Sequence, residues 1–301
     1  MSDRVYVSSE KDNKIYVFDT QGKRVSDIAV CQRPRDMRLS ADKARLYVCC
    51  GDGNALGIVD LSTGKMTGKV PLDQSPEMFD LSPDEKTVYV TSEDDSILGA
   101  YSLQTRKKLF DVKVGGEPEG VLLMPDGQHA YVTSEEANVV HYIDLAQRKV
   151  LKNIKVGHRP RRFTLAAGGK ELWVSNELSA NVSIIDTATQ AVLHTVAFNI
   201  KGMRAADITP VGSVLSPDGQ SVWVALGSAN HVAQVDVASR TVKRTVLVGK
   251  RAWGLQFHPD GKTLYVTNGL SDDMTLVDTT TGKALRTVAV GRVPHTVLVL
   301  P

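Results

Sequence analysis

The sequence predicts an all-β, seven-bladed β-propeller of four-stranded antiparallel blades, its ring closed by pairing of the N- and C-terminal strands. Three observations carry this expectation. An aromatic residue followed by valine recurs at Tyr6, Tyr47, Tyr89, Tyr131, Trp173, Trp223 and Tyr265, with gaps of 41, 42, 42, 42, 50 and 42. A second column, Asp19, Asp60, Ser102, Asp144, Asp186, Asp236 and Asp278, repeats those six gaps in the same order. The chain also begins inside a unit, at RVYVSS, and finishes on the segment that this unit lacks, PHTVLVLP.

Each unit reads as four strands. Residues 118–157 run PEGVLLMPDGQHAYVTSEEANVVHYIDLAQRKVLKNIKVG, four short apolar segments separated by turn-forming residues. Segments such as AYVTS and VVHYID are rich in valine and tyrosine, which suit a pleated, half-buried surface. In MPDG, SPDG and HPDG the proline fixes φ for a turn and the glycine accepts positive φ, so these are tight hairpins. The recurring aspartates are expected to hold further turns by side-chain to backbone bonds. Helical apolar spacing is absent, and four-stranded units of this length are propeller blades. Pairing Val297 to Leu300 beside Val5 to Val7 completes the first blade and removes two open edges. Seven units fill residues 1–301 as a single domain, and its one irregularity is a longer loop within 198–210.

Composition limits the function. The 301 residues are 42% hydrophobic and 23% charged, enough to bury a substantial core, and 36 Lys and Arg against 34 Asp and Glu leave a net charge of only +2. No overall field is available to hold nucleic acid, so electrostatic recognition has to be local. No apolar run approaches the ~20 residues of a membrane span, and the sequence opens MSDRVYVSSE without an apolar leader. Neither HExxH nor GxSxG occurs among the residues, which withholds support from a zincin or a Ser-His-Asp hydrolase.

Tyr89-Val-Thr-Ser, Tyr131-Val-Thr-Ser and Tyr265-Val-Thr-Asn268, with repeated Ser-Pro-Asp and Val-Gly-x-x-Pro elements, resemble the YVTN propeller repeats. More narrowly, the order of ARLYVCCGD, QSPEMFDLSPD, GGEPEGV, GHRPRRF, the long fifth unit and GKRAWGLQF resembles the β-propeller family associated with catabolism dependent on pyrroloquinoline quinone (PQQ). That resemblance implies export to the periplasm, with the leader removed, and a place beside PQQ-dependent alcohol oxidation. The partners it implies are a quinoprotein dehydrogenase or an electron-transfer protein.

Candidate functional residues gather at one end of the channel. With the first strand innermost, the fourth-to-first and second-to-third loops emerge on the same face. The residue after the loop proline, or its equivalent, then samples the channel mouth once per blade, at Arg35, Glu77, Glu119, Arg161, Val211, Trp253 and His295. Glu77, Glu117 and Glu119 mark an acidic arc; His158, Arg159, Arg161, Arg162, Lys250, Arg251, Arg292, Arg33 and Arg35 mark a basic one, so the mouth is expected to be dipolar. Guanidinium forks grip carboxylates and Trp253 offers a flat face, which together suit a planar anion. PQQ, a flat tricarboxylate, is the ligand the resemblance implies, with Arg35, Arg161, Arg162, Arg251, Trp253 and His295 around it and no cofactor otherwise required. The long loop carries Lys201, Arg204 and Asp207 and is expected to add Arg204 to the basic arc. The bland expectation is a solvated rim whose charges pair across neighbouring loops or meet a partner protein. A competing catalytic expectation is metal-assisted lactone hydrolysis on Glu77 and Glu119. Cys31, Cys49 and Cys50 approach one another on the same face; a bridge from Cys31 to either neighbour, a vicinal bridge and buried inert thiols all remain open.

Overall fold

Every unit folds as four antiparallel strands, and its turn chemistry is that of the sequence. The computed structural model describes residues 3–301 and contains seven four-stranded sheets, one per blade. The second blade is representative: Pro34–Leu39 lies innermost, followed outward by Arg45–Cys50, Ala55–Asp60 and Lys65–Pro71. Its inner strand is largely buried and its outer strand largely exposed. The Asp60 carboxylate accepts the N–H groups of Ser62 and Thr63, Asp186 and Asp278 do the same in their blades, and Asp236 accepts the N–H of Ser239. In the third blade Ser102 takes this place, and its hydroxyl accepts from Thr105 N–H.

Ring closure follows the expected pairing. The innermost strand of the first blade is Pro294–Leu300, paired to Arg4–Ser9 with Val299 opposite Val5 and Val297 opposite Val7. Hydrophobic clusters run between neighbouring blades, and all seven residues of the aromatic column are buried within them. Three of their polar tips find partners: Tyr131 Oη donates to Gln190, Tyr265 Oη to the Thr20 carbonyl and Trp173 Nε1 to Glu171.

The cysteines show how one blade departs from the repeat. In the fourth, fifth and seventh blades, Gly115, Gly157 and Gly249 approach Ser134, Asn176 and Asn268 so closely that an added Cβ would collide with those side chains. Cys31 and Cys50 occupy this same pair of positions in the second blade and form a disulfide with Cα atoms 5.7 Å apart. Cys49 is a buried free thiol whose ionisation is suppressed by burial. Its column elsewhere holds Ser8, Thr91, Thr133, Ser175 and Thr267, with Ala225 in the sixth blade.

Candidate functional site: the channel mouth

The mouth is framed by a backbone device that repeats around the ring. The residue before the inner strand adopts left-handed φ at Arg33 (54°), Ser75 (50°), Glu117 (49°), Arg159 (55°), Arg251 (58°) and Val293 (56°). Such a conformation is costly without glycine, and here hydrogen bonds on both sides hold it. Asn13, Asn54, Asn138, Asn230 and Asp272 accept the N–H of Arg33, Ser75, Arg159, Arg251 and Val293. The carbonyl of each left-handed residue accepts an N–H from the second-to-third loop of the same blade, as Arg159 does from Glu177 at 2.9 Å. Both loops are thereby locked on one face.

A second device fixes the ring itself. The hydroxyls of Ser8, Thr91, Thr133, Ser175 and Thr267 donate to the carbonyls of Arg35, Glu119, Arg161, Val211 and His295 in the next blade, at 2.5 to 2.9 Å. The mouth residues are therefore held by their main chain as well as by their side chains.

Arg35, Glu77, Glu119, Arg161, Val211, Trp253 and His295 come together as expected, yet all seven are buried, with Arg162 beside them. The inner ring is not solvated, although Glu117, His158, Lys250 and Arg292 stay exposed around it, and its charges pair across neighbouring loops. Nor is the inner ring divided into acidic and basic arcs, because carboxylates from the second-to-third loops enter between the arginines. Arg35 contacts Glu77 closely and lies 3.4 Å from Glu10 and 3.8 Å from Glu119. Arg161 binds Glu135 closely and lies 3.2 Å from Glu119, while Arg159 reaches Glu135 at 2.8 Å and Glu177 at 3.1 Å. Sequence reasoning missed Glu10, Glu135 and Glu177. Their signal was present, since the fourth position after each repeat aromatic reads Glu10, Gly51, Glu93, Glu135, Glu177, Gly227 and Gly269.

The remaining candidates divide. Glu77 and Glu119 share Arg35, so a guanidinium stands between the two carboxylates. Arg204 does not join the mouth; its fork pairs with Asp207 on the exposed long loop, both contacts 2.8 Å. Trp253 is flanked by the guanidiniums of Arg251, Arg161 and Arg162, 4.8, 5.3 and 5.7 Å from the ring centroid, and its buried indole N–H has no partner. Beside it a cavity of about 210 Å³ is lined by Glu10, Arg33, Arg35, Arg251, Trp253 and His295.

Burial and crowding set the protonation states. Burial and the neighbouring Arg162 and Arg35 hold the His295 imidazole well below its ordinary value, so it is neutral. Its Nε2 accepts from Arg162 at 2.9 Å and Arg35 at 3.3 Å, which leaves the proton on Nδ1 to donate to Thr296 Oγ1 at 3.0 Å. Burial would raise Glu119, but Arg161, Arg35 and Arg162 overcome it and bring its value down. Glu135 goes the other way. Burial outweighs Arg161, and the adjacent Glu119 and Glu177 help push it up to about 7. Arg162, with only Glu119 at 3.9 Å as a carboxylate neighbour, is lowered to about 10 by burial.

A family model described as the cytochrome D1 heme domain matches residues 119–297, more than half of the chain. The chain belongs to this family. Among solved structures it is similar to the periplasmic gluconolactonase PpgL of Pseudomonas aeruginosa (20% identity, 99% of each chain, TM-score 0.84). It is also similar to Kuenenia stuttgartiensis hydrazine synthase (21% identity, 87% of this chain and 88% of that one, TM-score 0.76). A third likeness is to the dihydro-heme d1 dehydrogenase NirN in complex with DHE (12% identity, 98% of this chain and 74% of that one, TM-score 0.74). At these identities the likeness is one of fold. No curated protein sequence matches the chain.

The heme that the family's description implies does not fit this mouth. Both nitrogens of His295, the one buried imidazole there, are committed to Arg162, Arg35 and Thr296 and offer no axial ligand. The adjoining cavity, of about 210 Å³, is also too small to enclose a tetrapyrrole. Among the described residues no cluster of three His, Cys, Asp or Glu is placed to hold a metal ion, and no helix is long and apolar enough to cross a membrane.

Proposed function

We propose that the protein is a noncatalytic binding protein of the periplasm that receives a small planar carboxylate at the channel mouth, the carboxylate edge of PQQ being the leading occupant. The observation that carries this reading is a cationic surplus around a lined cavity. Six guanidiniums, of Arg33, Arg35, Arg159, Arg161, Arg162 and Arg251, face five mouth carboxylates, of Glu10, Glu77, Glu119, Glu135 and Glu177; Asp52 meets Arg33 only at the exposed edge, at 3.4 Å, and burial pushes Glu135 up to about 7. An incoming carboxylate would complete the charge balance and give the Trp253 N–H an acceptor. Because Arg251, Arg161 and Arg162 already cover the indole, the ligand is gripped at its edge rather than stacked on Trp253. The disulfide supports an oxidising compartment, and the same face is where a quinoprotein dehydrogenase or electron-transfer partner would dock.

A second reading has its own support. Glu135, with a value near neutral and set between Arg159 and Arg161, has the properties of a general base, and the likeness to a gluconolactonase suggests lactones as substrates. This differs from a metal route through Glu77 and Glu119, whose shared partner is Arg35.

One set of preparations tests both. Calorimetric titration with PQQ at two salt concentrations is expected to give one saturable site, weakened several-fold at the higher salt and roughly tenfold or more by Arg251→Ala. Absence of saturable heat at either salt overturns the binding reading. Gluconolactone turnover that disappears in Glu135→Gln would replace it with the hydrolase; no turnover in the wild-type protein removes the hydrolase.

A further inference from the structure

Below the mouth, the layer formed by Arg35, His295 and Arg162 separates the upper cavity from a second one in the channel, of about 210 Å³. Its walls are the inner strands. Gly120, Gly212 and Gly254 line it because a Cβ at any of them would collide with the carbonyl of Arg161, Trp253 or His295 in the adjoining blade. The close strand approach that excludes side chains there leaves the polar groups of the channel few and well separated.

Two of those groups are buried and incompletely matched. Asp36 accepts only the Phe79 N–H, at a long 3.4 Å, and its closest cation is Arg38 Nε at 3.9 Å. Arg38 is engaged elsewhere, donating to the Phe79 carbonyl at 2.7 Å and lying 3.5 Å from Asp80. Across the cavity, Arg162 spends one nitrogen on His295, and its buried Nε has no hydrogen-bond partner. Burial pushes the Asp36 carboxyl up, with Arg38 and Arg162 opposing it, and no ion pair joins Asp36 to Arg162. Ser213, whose hydroxyl pairs with Thr164 at 2.7 Å, and Gln256 complete the polar lining.

A buried, poorly matched carboxyl group facing a donor-only guanidinium across a small cavity is complementary to one compact molecule bearing a carboxylate beside a hydroxyl or ammonium group. We infer that the lower chamber is a second binding site, for a short α-hydroxy or α-amino acid, whose carboxylate is held by Arg162 and whose hydroxyl or ammonium group donates to Asp36. The chamber shares Arg162 with the guanidinium layer of the mouth, yet its chemistry differs. The mouth offers cations to an anion; the chamber sets a carboxyl group opposite a guanidinium and demands a donor beside the carboxylate.

The test is calorimetric titration of the intact protein with glycolate and with glycine, acetate serving as the carboxylate without a donor. Glycolate or glycine is expected to bind at one equivalent and acetate roughly tenfold or more weakly, the loss of a charge-assisted hydrogen bond. Asp36→Asn should remove that preference while leaving PQQ binding at the mouth unchanged. Should Asp36→Asn fail to fold by circular dichroism, Gln256→Leu on the same wall is the substitute and is expected to weaken both ligands. Equal binding of acetate and glycolate, or no binding of either amino or hydroxy acid, overturns the inference. The two proposals fail separately: PQQ heat without glycolate heat removes the chamber alone, and the reverse removes the mouth alone.

Discussion

The ion pairs on the outside of the propeller and those in its mouth use the same chemistry under opposite conditions. Lys14 meets Asp27 at 2.6 Å on the outer strands of the first blade, both side chains substantially exposed. Arg161 meets Glu119 at 3.2 Å with 7% and 5% of the side chains exposed. The outer pair is the shorter and matters less, because water and salt screen it and each long side chain gives up freedom to make it. In the inner ring of the mouth Arg35, Arg161, Arg162, Glu77, Glu119 and Glu135 have lost nearly all their water, so each depends on its neighbours.

Breaking the mouth should therefore produce the largest effect. Arg161→Met is expected to destabilise the protein by about 3–5 kcal/mol in denaturant unfolding, because it leaves Glu119, Glu135 and Glu177 buried together without their shared cation. Lys14→Ala, the matching outer substitution, should leave the midpoint unchanged. A comparable loss from both would mean that burial is not what distinguishes the two regions.

Next comes the covalent support of one mouth loop. Cys31→Ser is expected to cost about 3 kcal/mol, the loop-closure value for a bridge spanning 19 residues. Wild-type protein in reductant should unfold at the variant's midpoint. An unchanged midpoint in both would show that the Cys31 position is held by packing alone, as its glycine counterparts are.

The smallest effect sharpens the contrast within the mouth. Glu135 has a folded-state value raised to about 7, above its unfolded value of about 4.3. Its contribution to stability is thus fully present below the unfolded value and is lost as pH rises through about 7. Glu119 has the opposite sign, contributing above its unfolded value and losing that contribution as pH falls through its lowered folded value. Stability of the wild-type protein relative to Glu135→Gln should fall between about pH 4 and pH 7; a flat difference would mean that Glu135 ionises as an ordinary carboxylate.

The fold could be read because its determinants are local and repeated. The aromatic column, the Asp19 column and the Pro-Asp-Gly turns each state the blade on their own, and the terminal fragments state its closure. The mouth was legible in membership but not in pairing. The residue after the loop proline identifies Arg35, Glu77 and Arg161, whereas their partners Glu10, Glu135 and Glu177 arrive from another loop and another column. Arg204 was misjudged for the complementary reason: a long loop supplies its own counter-ion, Asp207, three residues away. The cysteine pairing lay in the same columns, since Cys31 and Cys50 stand where Gly115 and Ser134 approach each other.

Closure of the ring also sets a timetable. Among the described strands the innermost of the first blade, Pro294–Leu300, is made last, while its neighbour Arg4–Ser9 is made first. At ~5–20 residues per second, the edge of Arg4–Ser9 waits many seconds for its partner, and throughout that interval the nascent chain is an open arc with a strand edge at each end. Premature termination anywhere before residue 294 would release a chain that can form blades but cannot close, with Val5 and Val7 on an edge primed for another molecule's strand.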